Sequence, residues 1–245
     1  MEQILCQGKD NQKSMNRTLT LSVALMLLFL NQVKAQLTIL KDSVQIGEQY
    51  YVLEEPKLSD QYNKVSMEFY KNVRSQAILG SYFTATPEQR LKAKKDTLKA
   101  LIASGELRQA GYGFEHYEVF YDQEGLLNLS VSIQSYGSPF ESQKAYCFDL
   151  ATGKLLGKAL FVNHNGLVKI IANKLKMQKK GLKVNVEALD QYEMLGHKGV
   201  LEGIKFLITD TVNYRNSGYE IFEVELNKKE IAPYLAPEFK KRLKF

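Results

Sequence analysis

The sequence predicts an α+β domain in which an antiparallel sheet, a meander plus a C-terminal hairpin, packs against several helices. Two observations carry this. Leu127, Leu129, Val131 and Ile133 alternate with Asn128, Ser130, Ser132 and Gln134, the period of two of a strand with one face buried. On either side of that stretch the apolar spacing changes to three and four, the period of helices. Helices bracketing a run of short antiparallel strands is the α+β pattern.

The chain opens on an export signal. Thr18 to Leu30 reads TLTLSVALMLLFL, 13 uncharged residues preceded by Arg17 and followed by Val33 and Ala35. A charged lead, a short apolar core and small residues at minus three and minus one form a secretory signal peptide. The apolar core is shorter than the ~20 residues of a membrane-spanning helix. Residues 1–35 are therefore expected to be removed, with Met15 a candidate true start, leaving 36–245 as a single domain without a transmembrane helix. The expected location is the periplasm or exterior of a bacterium.

Within 36–245, Leu37 to Leu53 reads as an extended lead broken at Gly47 and closed by Pro56. Val65, Phe69, Val73 and Leu79 place a helix over Tyr62 to Leu79. Thr86-Pro87-Glu88-Gln89 is a helix start, with Thr86 as N-cap, proline in the first turn and Gln89 three residues on. Leu91, Leu98, Leu101 and Ile102 mark that helix's buried face and Gly105 its stop.

Phe114 to Tyr121 is rich in aromatic and β-branched residues, and Asp122 to Gly125 turns it into the alternating strand. Ala145 to Leu150 is a further strand, with Ala151-Thr152-Gly153-Lys154 turning into Leu155 to Phe161. Leu167, Ile170, Ile171 and Leu175 define a helix to Met177, and another is expected over Val186 to Leu195. Ile204 to Ile208 and Tyr219 to Leu226 form the closing hairpin around Asn213 to Gly218. Pro237 to Leu243 makes a terminal helix.

Composition narrows the function classes. The chain has 33 basic and 27 acidic residues; the leader takes four and two of these, leaving 29 against 25, a net +4. The lysines cluster at Lys92, Lys94, Lys95 and Lys99, at Lys169 to Lys183, and at Lys240, Lys241 and Lys244. Such runs are expected to be solvated faces, and they could attract anionic lipid or wall polymer. Nucleic acid is not an expected partner, since no zinc-finger, helix-turn-helix or ribonucleoprotein pattern occurs.

No catalytic, metal or cofactor motif is present. Cys147 is the single cysteine of 36–245 and lies in the apolar run AYCFDL, so a small buried hydrophobe is expected. His116, His164 and His197 lack i,i+4 or H-x-H spacing. The G-x-S-x-G and G-x-x-x-x-G-K-[ST] patterns are missing. Gly111-Tyr112-Gly113 precedes a strand and reads as a loop. Of the carboxylate pairs Glu54/Glu55 and Glu223/Glu225, the second is expected on the solvent face of its strand, opposite Phe222, Val224 and Leu226. The hydrolase alternative places a long-range site at His116 with Glu118.

One loop carries the binding expectation. Tyr136-Gly137-Ser138-Pro139-Phe140 joins two strands with turn chemistry and sets two aromatic rings near a tip. Tyr136, Pro139 and Phe140 are the candidate ligand-binding residues, with an envelope protein or wall polymer as partner.

Leu129 to Met177, with YCFDLATGKLL (Tyr146 to Leu156), Leu160-Phe161 and the amphipathic helix, resembles the RsiV-like family of bacterial envelope proteins. Gly203 to Leu243, GIKFLITD followed by YEIFEVELNKKEIAPYLAPEFKKRL, is similar to that family's closing strands and final helix. The resemblance implies an extracytoplasmic α+β domain, some of whose relatives are anti-sigma-factor sensors that bind lysozyme or accompany cell-wall enzymes. This chain differs in carrying Tyr136 to Phe140 where the family has a glycine-rich loop with a histidine. No cytoplasmic sigma-binding segment is expected in it, and the basic charge of lysozyme gives no global electrostatic reason for attraction to a +4 domain.

Overall fold

The computed structural model describes residues 36–73, 86–105, 114–134, 141–197, 200–210 and 220–244. Nine strands make three antiparallel sheets among them, and Gln36–Phe245 is one compact unit. The architecture is α+β, as the two periodicities predict.

A two-residue loop at Gly47 joins β1 (Leu37–Ile46) and β2 (Gln49–Leu58), paired from Leu37↔Leu58 to Ile46↔Gln49. The expected extended lead is thus a long hairpin. Gly47 does not break it but turns it, at φ 62°. Pro56 lies inside β2 opposite Ile39; a two-stranded ribbon has free edges, where the missing N–H costs no ladder bond.

Helix α1 (Asn63–Asn72) follows, and Leu79, the expected end of that helix, is outside the described residues. Helix α2 (Pro87–Ala103) begins on the predicted capping box: Gln89 N–H donates to Thr86 Oγ1 (3.3 Å), and Thr86 N–H donates to Gln89 Oε1 (2.8 Å). It stops at Gly105, which takes φ 73°.

Strands β3 (Phe114–Gln123), β4 (Leu126–Gln134), β5 (Glu141–Asp149) and the short β6 (Lys154–Leu155) form the meander. The strand expected over Leu155 to Phe161 ends after two residues, because Gly157 at φ 46° turns the chain into a 3-10 helix, Gly157–Leu160. Helix α3 (His164–Leu175) is capped by the Asn163 side chain, which accepts from Gly166 N–H, and buries Leu167, Ile171 and Leu175.

The helix expected over Val186 to Leu195 is instead a 3-10 turn, Val186–Asp190, followed by β7 (Tyr192–His197). β7 is covered on both faces, burying Tyr192, Glu193 and Met194 in succession, so its sequence shows no alternation. β8 (Val200–Asp210) and β9 (Glu220–Asn227) complete its sheet; β9 exposes Glu223 and Glu225 and buries Val224 and Leu226, as expected. The loop Asn213 to Gly218 is outside the described residues. A one-turn helix α4 (Lys228–Ile231) and α5 (Pro237–Arg242) end the chain.

Three cores result. The largest joins α3, the β7–β9 sheet and the C-terminal helices through Leu167, Ile171, Phe206, Leu226 and Phe239. A second sits between the meander, α1 and the base of the hairpin, around Phe69, Leu129 and Phe148. The third is small: Val44 and Leu53 of the hairpin against Leu91 and Leu98 of α2.

The alternating strand needs a correction. β4 is not half-buried: Asn128 and Ser130, its expected solvent face, are buried beneath β7. Asn128 replaces a backbone partner there. Its Nδ2 donates to Tyr146 O (2.9 Å) and Tyr192 O (3.1 Å), and its Oδ1 accepts from Met194 N–H (2.6 Å). A polar residue in a period-two pattern can therefore face another sheet when its hydrogen bonds are all made.

Candidate functional site

The charged residues gather where the hairpin, α2 and β3 meet. Glu54 and Glu55 are successive on β2, so they point to opposite faces of the ribbon. Glu55 faces α2, whose Arg90 and Lys94 are four residues apart and share one helical face. The Arg90 guanidinium pairs with Glu55, and Lys94 Nζ lies 2.7 Å from Glu55 Oε2, 2.7 Å from Glu115 Oε2 and 2.7 Å from the Glu54 carbonyl. Arg90 also lies 4.1 Å over the Tyr70 ring of α1. Tyr117 O–H donates to Glu115 Oε2 (3.2 Å). All of Glu55, Arg90 and Lys94 are buried.

On the other face of the ribbon Glu54 meets the edge of β3. It accepts from Tyr117 N–H (2.9 Å), pairs with Lys41 across the hairpin (2.7 Å) and lies 3.1 Å from His116 Nδ1. Its carboxylate therefore satisfies a β3 amide that the meander leaves unpaired. His116 and Lys41 are the exposed members, with side chains 53% and 59% accessible.

Burial pushes the Glu115 carboxyl up, with Glu55 adding to the rise and Lys94 opposing it. Burial also pushes Tyr117 well above its ordinary range, helped by Glu115 and Glu55. Glu54 goes the other way: burial would raise it, but Lys41, the Tyr117 amide and His116 outweigh that and hold it below the usual carboxylate range. Across the two faces Glu54, Glu55 and Glu115 are matched by Lys41, Arg90 and Lys94. A buried charge persists only when paired and hydrogen-bonded. The arrangement is an ionic brace that ties α2 and β3 to the hairpin.

The structure places the sequence candidates as follows. His116 meets Glu54, not Glu118, so the pair proposed for a hydrolase is replaced by a contact within the brace. Lys94 is not on a solvated face; it is buried, whereas Lys92 and Lys99 are exposed. Glu54 and Glu55 are buried and consumed by cations. His164 bonds through Nε2 to the Lys158 and Phe161 carbonyls (3.0 and 2.9 Å) at the start of α3. Cys147 is the expected buried hydrophobe, 3.8 Å from Met194 Sδ, and burial pushes its thiol up to about 12. The His197 side chain and the loop residues Tyr136, Pro139 and Phe140 lie outside the described residues. The strands that present that loop are in register to its edge, with Gln134↔Glu141 as the last rung. Among the described residues no group of histidine, cysteine and carboxylate side chains has the arrangement of a metal site.

Sequence periodicity missed the brace because its members look like solvent residues. One signal was available: Leu91 and Leu98 leave an empty helical step at 94, and a buried stripe continues through it.

No family model and no curated protein matches the chain. Solved structures do. A DUF3298 family member from Bacteroides fragilis is 13% identical, covers 86% of this chain and 98% of its own, and superposes with a TM-score of 0.53. A DUF3298 family protein from Pseudomonas aeruginosa is 12% identical over 83% of this chain and 95% of its own, with a TM-score of 0.44. At this identity the likeness to the Bacteroides fragilis protein is one of fold, and the fold of this chain is that of a DUF3298 structure.

Proposed function

We propose that the chain is an exported binding module of the bacterial cell envelope, without catalysis, that uses Tyr136, Pro139 and Phe140 to hold an envelope protein or wall polymer. The observation that carries this reading is the use made of its reactive groups. Cys147 is sealed in the core, His164 is bound to the Lys158 and Phe161 carbonyls, and His116 is held by Glu54 in a brace whose charges balance. Among the described residues the His116 ring bonds through Nδ1 to Glu54 alone. The signal-like leader and the resemblance to RsiV-like proteins over Leu129 to Met177 support the envelope setting. Rigid strands on both sides of the aromatic loop support its use as a presented anchor.

Tagged Gln36–Phe245 should capture one reproducible partner from solubilised envelope, and Tyr136→Ala with Phe140→Ala should lose it. Turnover of an envelope substrate abolished by His116→Ala would instead establish the hydrolase reading.

A specific observation favours an anionic lipid surface as a second reading. From Leu150 to Val186 the chain has no Asp or Glu but eight lysines. Lys174 and Lys179 pair with Glu230 and Glu220, while Lys176 and Lys180 are exposed beside Met177, itself 85% accessible. Binding to phosphatidylglycerol vesicles, lost with salt and with Lys176→Glu and Lys180→Glu, would support it; equal binding to neutral vesicles would not.

A further inference from the structure

The described chain begins with a residue whose polar atoms are held more closely than a free end requires. Gln36 is 4% exposed. Its backbone N–H lies between the two Asp122 carboxylate oxygens, 2.9 Å from Oδ2 and 3.2 Å from Oδ1. Its side-chain Nε2 donates to Asp122 Oδ1 (2.6 Å) and to Leu126 O (3.1 Å). Its Oε1 accepts from Tyr62 O–H (2.6 Å), and its carbonyl accepts from Ser59 N–H (2.8 Å). Leu37 N–H adds a longer contact to Asp122 Oδ2, at 3.4 Å.

Asp122, on β3, has an unusual balance. Burial pushes its carboxyl up, and only the N–H groups of Gln36 and Leu37 oppose that. No lysine, arginine or histidine pairs with it among the described residues, although the brace on the same strand matches every carboxylate with a cation. Two carboxylate oxygens about a single nitrogen is the geometry of an ammonium ion pair, occupied here by an amide with one proton.

We infer that cleavage between Ala35 and Gln36 creates the missing cation, so that the processed N-terminus closes onto Asp122 as a structural ion pair. Water adds across the amide: the Ala35 carbonyl carbon takes the hydroxyl and leaves as a carboxylate with the leader. The Gln36 nitrogen takes the proton and, at neutral pH, a further one. The resulting ammonium has three donors in place of one, two of them directed at Asp122 from where the nitrogen already lies. The small residues Val33 and Ala35 place a signal peptidase cut at this bond. The inference deepens the export reading and rests on it. Processing then completes the fold rather than merely shortening the chain. The hold on Gln36 Nε2 and Oε1 also keeps the side chain from cyclising onto its own amine.

Asp122 from β3 faces the new ammonium, while Tyr62, from the turn before α1, holds the Gln36 side chain through Oε1. Arg242 of α5 lies near enough to act on the same Tyr62. The carboxylate contact dominates, so the amine should titrate above its ordinary value of about 7.7–8.0. A group raised in this way contributes stability that is complete below its unfolded value and fades as pH rises through the folded one.

Two chains test this, each with and without Asp122→Asn: Gln36–Phe245 with a free amine, and Ala35–Phe245, one residue longer, in which Gln36 N remains an amide. Gln36–Phe245 contains all three cores. Asp122→Asn should lower Tm several degrees more in the free-amine chain, and that excess should disappear as pH rises through the amine's titration. An equal loss in both chains overturns the ion pair. Intact mass of the exported protein gives the second arm: a Gln36 start with the amine retained supports the inference. A Gln36 start that has lost ammonia overturns the ion pair and leaves export standing. A cleaved chain starting at another residue overturns the ion pair and leaves export standing, whereas a retained leader overturns the inference and the export reading together.

Discussion

The α3/β7–β9 core and the hairpin–α2 junction solve the same problem, burying one element against another, by opposite means. The first is filled with Leu167, Ile171, Phe206, Val224 and Leu226, and the buried Glu193 of its β7 pairs with Lys205 of β8. Among the described residues the second buries four apolar side chains, Val44, Leu53, Leu91 and Leu98, and adds a brace of paired ions. Apolar packing depends on volume and tolerates a change of shape. A buried ion network depends on charge balance and does not tolerate loss of one member, because the partner left behind is an uncompensated charge. The hairpin junction is therefore expected to be more sensitive to pH and to apparently conservative changes than the α3/β7–β9 core.

That contrast predicts a reversal of the usual ranking. Lys94→Met, close in volume, should cost about 3–5 kcal/mol in chemical denaturation, since Glu55 and Glu115 lose their shared cation. Ile171→Leu, an equally modest change in the apolar core, should cost less than about 1.5 kcal/mol. Equal costs would remove the distinction between the two regions.

Asn128 is the next largest effect, because it brings a hydrogen-bonded solution into the apolar half. Asn128→Ala strands Met194 N–H and Tyr192 C=O at the junction of β4 and β7, and should cost about 3 kcal/mol. Asn128→Ser, too short to span both strands, should recover little of it.

Within the brace the two carboxylates should show opposite pH signatures. Glu54 is held below its ordinary range, so its contribution is present at neutral pH and lost as pH falls through its depressed value. The gap between the parent and Glu54→Gln, measured by urea unfolding, should therefore close on acidification. Glu115 is pushed up by burial, so its contribution is complete in acid and fades as pH rises through the raised value. Glu115→Gln should gain on the parent as pH rises. The smallest effect is at the helix start: Thr86→Ala removes one side of the capping box and should cost about 1 kcal/mol.

Much of the apolar half could be read from sequence, since its elements carry local signals. Pro237 marks the start of α5, and the Leu167/Ile171/Leu175 stripe and the alternation of β9 each describe a surface with one wet side. In the other half the Thr86-Pro87-Glu88-Gln89 box marks the start of α2 just as locally. The readings that failed concern surfaces with no wet side or no apolar side. β7 is covered on both faces and so lost its period. Asn128 and Ser130 read as solvent residues because polarity was taken for exposure. Glu55, Arg90, Lys94 and Glu115 are distant in sequence, and only the folded ribbon brings their charges together. The hairpin itself was obscured by Gly47 and Pro56, residues that usually interrupt strands and here occupy a turn and a free edge.

On the proposed function, the ionisable interior serves the fold and the surface serves the partner. A test replaces the network of α2, β2 and β3 together, Glu55→Leu, Arg90→Met, Lys94→Met and Glu115→Leu, and measures stability and envelope partner capture on the same protein. Exchange of a whole buried ion network for apolar residues is often neutral or stabilising. The expected result is a folded protein that captures the same partner as the parent. A folded protein that no longer captures it would contradict the claim and place function in the brace itself.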